Sequence, residues 1–370
     1  MERKKLELHQ LKELKKGGEP LTMLTAYDYP TAKMLDEEGI DLILVGDSVA
    51  NVVLGYNDTR PVTMEEMLHH TKAVVRGVNY GLVIGDMPFM SYNVTREEAV
   101  RNAGRFIKET GCDMVKLEGA GSHGKTISSI VGAGIPVCGH IGLTPQTAGL
   151  IGGYRVQGRS SKAAVRIIHD ALTIELAGAS LLVIECVPTE LAHEITTRLS
   201  IPVIGIGAGE SCDGQVLVFH DMLGIQTDFA PRFVKRYMDA EKLFREAVQA
   251  YRTDVKGRTF PTADHSFAMP EKSYEKLKNI LGRECDINAE SESVITSTEH
   301  PEVRRDVEDE AKSLVEKARL ETTVKSARKE LDSISEEAET KVKGSKVKGS
   351  KVKPAKQKPL KKRMGKKKKE

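Results

Sequence analysis

Acidic residues recur where short apolar runs end. Asp47 and Ser48 follow Leu-Ile-Leu-Val-Gly, and Asp86 follows Leu-Val-Ile-Gly. Glu118 closes Met-Val-Lys-Leu-Glu, which carries Lys116 inside it, and Glu185 closes Leu-Leu-Val-Ile-Glu. Carboxylates gathered at buried strand ends repel one another and lose hydration, so something positive must offset them. Lys116 is one candidate and a divalent cation the better one. Oxygen ligands without a Cys/His set suit Mg²⁺ or Mn²⁺ rather than Zn²⁺. Held by few carboxylates, such an ion keeps positions for water and for a bidentate ligand, a role that a 2-oxo acid fits. Each residue also has a plainer reading. An acid after a strand is often a helix N-cap, although no helix starts directly after Asp86-Met-Pro or Glu118-Gly-Ala-Gly. Lys116 alternates with Val115 and Leu117, which turns it into a barrel interior, because charge rarely faces a packed helix layer. His140 reads as a hydrogen-bonded wall residue.

The elements that would position these residues form one repeating pattern. The apolar runs are Leu21–Ala26, Asp41–Val45, Leu82–Gly85, Met114–Leu117, Val137–Ile141, Leu181–Ile184, Val203–Ile206 and Met222–Ile225. Continuous apolar strands alternating with helical stretches indicate a parallel sheet covered on both faces. Eight of them predict a (β/α)8 TIM barrel, whose chemistry sits where strands end and βα loops begin. An open doubly wound sheet would want a glycine fingerprint after its first strand, and Ala26-Tyr27-Asp28 offers none. Thr63 with Glu66 and Thr95 with Glu98 carry the capping-box spacing of helix starts. Gly39, Gly111 and Gly178 mark helix ends. A helix around 231–251 is expected to close the barrel. The glycines at 205, 207 and 209 suit either a phosphate or a tight turn, and 152–159 (GGYRVQGR) either a lid or a surface loop.

Charge divides the chain. Residues 341–370 hold 15 Lys or Arg and one acid, and the whole chain is only +3, so residues 1–340 carry −11. The expected organisation is a catalytic barrel over 1–267, a charged linker and amphipathic helix over 268–340, and a disordered basic tail over 341–370. In 300–340, apolar residues recur at three- and four-residue intervals. The tail repeats a five-residue unit, KVKGS. Five cysteines without CxxC pairing, no apolar run near a membrane span and a charged N-terminus lead us to expect a cytoplasmic protein.

On these residues the chain resembles ketopantoate hydroxymethyltransferases. The resemblance lies in TAYDYPTA (25–32), LVGDSVANVVLGYNDTRPVT (44–63), DMPFMSY (86–92), MVKLEG (114–119), PVCGHIGLTPQ (136–146), GGYRVQGR (152–159), LLVIECVP (181–188), IPVIGIGAG (201–209) and DGQVLVFHDMLG (213–224). Any one stretch is weak, but so many in order at strand ends are specific. The resemblance implies a barrel of the phosphoenolpyruvate/pyruvate class, assembled as a homo-oligomer, often a decamer. It implies transfer of a one-carbon unit from 5,10-methylenetetrahydrofolate, or a related tetrahydropterin, to 3-methyl-2-oxobutanoate, the first step towards pantothenate and coenzyme A. By motif position, Asp47, Asp86 and Glu118 are implied as Mg²⁺ ligands. Asp47, Ser48, Asp86 and Lys116 are implied as the substrate contacts, and Glu185 as the catalytic base.

Three rivals stand beside this reading. A carbon–carbon lyase of the same superfamily would be expected to carry a loop rich in cysteine and lysine, which is not apparent. A metal-free aldolase would use Lys116 as a Schiff base. A binder of polyanions would act through the tail, which lacks aromatic residues for base stacking.

Overall fold

The computed structural model describes residues 3–225 and 231–287. Eight parallel strands close into a barrel in chain order: β1 (Leu21–Thr25), β2 (Leu42–Val45), β3 (Leu82–Asp86), β4 (Met114–Glu118), β5 (Val137–Gly142), β6 (Leu181–Glu185), β7 (Val203–Ile206) and β8 (Gly214–Leu217). The helices are α1 (Gln10–Gly17), α2 (Tyr29–Glu37), α3 (Val49–Val52), α4 (Met64–Val75), α5 (Arg96–Arg105), α6 (Gly124–Gly132), α7 (Ser161–Leu176), α8 (Thr189–Arg198), α9 (Phe219–Leu223), α10 (Ala240–Gly257) and α11 (Glu271–Ile287). The TIM barrel expected from the eight apolar runs is therefore present.

Strand alternation splits the core in two. Outward residues such as Ile43, Val45, Val83, Val115 and Leu117 pack beneath the helices. Inward residues Met23, Leu42, Leu44, Leu82, Ile84, Met114, Leu181 and Val183 fill the lower barrel. The floor is sealed by α1, whose Leu11 is fully buried against that inner layer. The Lys15 ammonium locks the plug, donating to the Thr196 and Ile201 carbonyls and to Asp213 Oδ2 at 2.8 Å.

Helix starts follow local chemistry. Thr63 and Glu66 form the complete reciprocal capping box. Thr95 accepts from the Glu98 amide at 3.1 Å without the return bond, so the second box is half formed. The helix-ending residues Gly39, Gly111 and Gly178 all adopt left-handed backbone, as C-terminal glycines do.

Two expectations are corrected. The eighth strand is Gly214–Leu217, and Met222 and Leu223 lie in α9. Exposed Gln215 interrupts this strand's apolar pattern, which hides it from a search for continuous runs. Its pairing with β1 runs from Leu21–Gly214 to Leu24–Leu217 and needs glycine at 214, where a Cβ would strike the Leu21 carbonyl oxygen. The closing helix begins at Ala240, nine residues later than expected, and Ala240 is its one buried residue. Leu243, Phe244, Val248 and Tyr251 are exposed, so α10 does not cover the barrel as anticipated.

By contact density the chain divides at His265/Ser266 into one unit holding the barrel and α10 and a second holding α11. The amphipathic stretch 300–340 and the basic tail fall outside the described residues.

Candidate active site

The alternation that fills the lower barrel with apolar side chains delivers polar ones at its upper, C-terminal mouth. On β3 the inward positions run Leu82, Ile84, Asp86; on β4, Met114, Lys116, Glu118; on β5, Cys138, His140; on β6, Leu181, Val183, Glu185. Strand register then sets neighbours side by side, pairing Asp86 with Lys116 and Glu118 with His140. Asp47 and Ser48 lie just beyond β2, where α3 begins. The acids foreseen in the sequence thus meet in one place, and Lys116 points inward.

Hydrogen bonds and ion-pair contacts link the site. Lys116 Nζ donates to Asp86 Oδ2 at 2.6 Å, and the Asp47 amide donates to the same oxygen at 3.2 Å. His140 lies between two carboxylates, its Nδ1 3.4 Å from Glu118 Oε1 and its Nε2 3.3 Å from Glu185 Oε2. The Glu185 side chain retains 15% exposure, against 5% for Lys116, 2% for Glu118 and 1% for Asp86, so it is the acid most accessible from the mouth. Ser48 Oγ pairs with the Tyr27 hydroxyl at 2.8 Å.

Burial dominates the electrostatics. It raises the Asp86 carboxyl to about 7 against the pull of Lys116, and it raises Glu118 despite His140 beside it. Burial works against the Lys116 ammonium, yet Asp86, Asp47 and Glu118 outweigh it and hold that cation well above its ordinary range. Burial and Lys116 likewise oppose charging His140, while Glu118 and Glu185 on either side push it up to about 9. The ion pair with Asp86 thus favours the ammonium form of Lys116 over the free amine that a Schiff base requires.

Four carboxylates gathered around one lysine and one histidine make an acid-rich setting that suits a divalent cation. Among the described residues, no three Asp, Glu, His or Cys side chains already converge as ligands to an ion. The donors nevertheless fit one. In two of the three acids implied as ligands, Asp86 and Glu118, one oxygen is tied by a hydrogen bond and the other makes none. Asp86 Oδ2 is tied by Lys116, while Oδ1 is buried without a partner. Glu118 Oε2 accepts from the Gln146 amide, while Oε1 makes no hydrogen bond. Asp47 Oδ2 accepts from Gln146 Nε2. Buried oxygens without hydrogen-bond partners are costly, and such an oxygen on Asp86 and another on Glu118, the latter 3.4 Å from His140 Nδ1, suit monodentate ligation of a small hard cation.

Two residues of this network were not singled out in the sequence. Gln146 and Tyr92 are both buried, and both lie inside stretches that carried the family resemblance. No periodicity marks them, because each follows a strand and reaches the site through a loop. The 152–159 loop is joined to the site by the Gln157 amide, which donates to the Cys186 carbonyl at 2.8 Å. Tyr154 on it is exposed, within electrostatic range of Asp47, Glu118 and Glu185. Cys186, directly after Glu185, takes a left-handed φ of 48°, a strained turn at a site residue. Gly207 and Gly209 pack against Phe233 and Thr189, which favours the tight-turn reading over a phosphate cradle.

Comparison with known proteins agrees with this geometry. A family model described as ketopantoate hydroxymethyltransferase matches residues 5–263. The 3-methyl-2-oxobutanoate hydroxymethyltransferase of Syntrophomonas wolfei is 51% identical over 267 residues, covering 72% of this chain and 97% of the relative. That of Heliobacterium modesticaldum is 54% identical over 269 residues, covering 73% and 98%. Among solved structures, phosphonopyruvate hydrolase aligns with a TM-score of 0.49 and 11% identity, covering 75% of this chain and 97% of that one. With a match spanning the whole barrel and relatives more than half identical along nearly their full length, the chain belongs to the ketopantoate hydroxymethyltransferase family.

Proposed function

We propose that this protein is a 3-methyl-2-oxobutanoate hydroxymethyltransferase. It would move a one-carbon unit from 5,10-methylenetetrahydrofolate, or a related tetrahydropterin, to the 2-oxo acid and so form ketopantoate. The observation that carries the reading is the cluster of inward acids around Lys116 at the barrel mouth, in a chain of this family. Asp47, Asp86 and Glu118 would hold one Mg²⁺, which when bound supplies Lewis-acid charge opposite the keto and carboxylate oxygens of the substrate.

The protein's own groups account for the rest. Lys116, kept cationic by Asp86, faces the negative charge that develops on the substrate as the C3 proton leaves. Glu185, the most accessible acid and oriented by His140, is the group that takes that proton. The C3 carbon then bonds to the donor's methylene carbon, water supplies the hydroxyl oxygen, and the tetrahydropterin departs. Ser48, held by Tyr27, lies beside Asp47 as a further substrate contact. The 152–159 loop is our candidate cover for the pterin. Among the described residues no helix is long and apolar enough to cross a membrane, and we place the enzyme in the cytoplasm as a homo-oligomer, with the decamer as the expected form.

The test is solvent deuterium exchange at C3 of 3-methyl-2-oxobutanoate, followed by NMR with Mg²⁺ and then with EDTA. Exchange that needs the metal and disappears in Glu185→Gln is the expected result. Absence of exchange even with the tetrahydropterin bound would require the proton-abstraction mechanism to be withdrawn.

A further inference from the structure

Gln146 sits on the short turn Pro145–Thr147 after β5, buried to 2% exposure, and each of its side-chain polar atoms is engaged. Its Nε2 donates to Asp47 Oδ2 at 3.0 Å and to the Met87 carbonyl at 3.0 Å, and its backbone amide donates to Glu118 Oε2 at 3.1 Å. Its Oε1 accepts from the Tyr92 hydroxyl at 2.6 Å, and that hydroxyl accepts from the Glu118 amide at 3.2 Å. The bonds close a ring: Glu118 amide to Tyr92, Tyr92 to Gln146, and Gln146 back to the Glu118 carboxylate. Asp47 Oδ2 accepts from Gln146 Nε2, so Gln146 constrains that carboxylate's rotation.

We infer that Gln146, braced by Tyr92, is a positioning residue that sets the rotation of the Asp47 and Glu118 carboxylates for a bound divalent cation. The inference rests on the reading above that these acids are ligands. An amide is the side chain this place requires. It donates to one acid without adding charge, whereas a lysine would compete with the cation and a glutamate would add repulsion beside Asp47 and Glu118. Tyr92 holds the amide in the orientation that presents Nε2, not Oε1, to Asp47. Groups that hold metal-binding side chains in place commonly govern affinity by about 10–100-fold.

The test is Mn²⁺ binding to the full-length protein, measured by the electron paramagnetic resonance signal of the free ion, with thermal unfolding run in parallel without metal. Gln146→Met keeps the side chain's length and removes both polar atoms. We expect it to fold and to bind Mn²⁺ about 10–100-fold more weakly. Tyr92→Phe should weaken binding in the same direction. The double variant should fall short of the product of the two effects, because both act through one ring. A folded Gln146→Met protein with wild-type Mn²⁺ affinity overturns the inference. Should that variant fail to fold, unchanged affinity in Tyr92→Phe overturns it equally. Wild-type protein that binds no Mn²⁺ would instead remove the metal reading, and the inference with it.

Discussion

Lys116 and Asp86 form a deeply buried ion pair in the site, and their energetics follow from that burial. A buried pair adds little net stability over an apolar pair, but removing one partner strands the other charge. Lys116→Met should therefore destabilise the metal-free protein by about 3–5 kcal/mol in urea denaturation. The double variant Lys116→Met/Asp86→Leu should recover most of that loss. A single variant costing under about 1 kcal/mol would mean that Asp86 is neutral in the folded protein. Seen one residue at a time, Asp47, Asp86, Lys116, Glu118 and Glu185 were legible because each breaks an apolar run. His140 was visible, but as a wall residue. Only its position between Glu118 and Glu185 makes it a link between an acid proposed as a ligand and the proposed base.

The ends of strands do the positioning at the scale of elements, and backbone close to Glu185 leaves little slack. Gly142 ends β5 with φ of 95°, pairs in register with Glu185, and leaves no room for a Cβ against the Glu185 carbonyl oxygen. Gly142→Ala is expected to cost on the order of 3 kcal/mol and to displace Glu185, the proposed base. Denaturation curves would read the first effect and loss of C3 exchange in the remaining folded protein the second. Full stability in that variant would contradict the close approach described. The same scale explains the missed eighth strand. Continuous apolar runs identify strands buried on both faces, and Gln215 is exposed, so β8 is defined by its pairing with β1, not by hydrophobicity.

Two expectations concern the whole molecule. The family match ends at residue 263, and residues 268–370 are proposed to be dispensable for catalysis. A chain truncated after Phe267 should keep its turnover while losing salt-sensitive binding to polyanions, which the 15 tail cations support through counterion release. Normal folding with lost turnover would assign those residues a catalytic part. The exposed Leu243, Phe244 and Val248 on α10 form an apolar face that the described residues leave uncovered. If copies cover it on assembly, Phe244→Lys should shift the protein to a smaller species in light scattering at unchanged barrel stability, and an unchanged mass would exclude that face from the interface.

The amino-acid sequence alone determined the first seven strands of the repeat, the inward direction of Lys116 and the acids at strand ends, because those features reside in period-two alternation and local turn chemistry. Tertiary structure decided which acids meet, since Asp47 and Gln146 lie 99 positions apart and touch only after the barrel closes. It also decided that Gln146 and Tyr92 belong to the site. A loop residue carries no periodic signal, and its side chain acquires a direction only from the partners that the closed barrel brings to it.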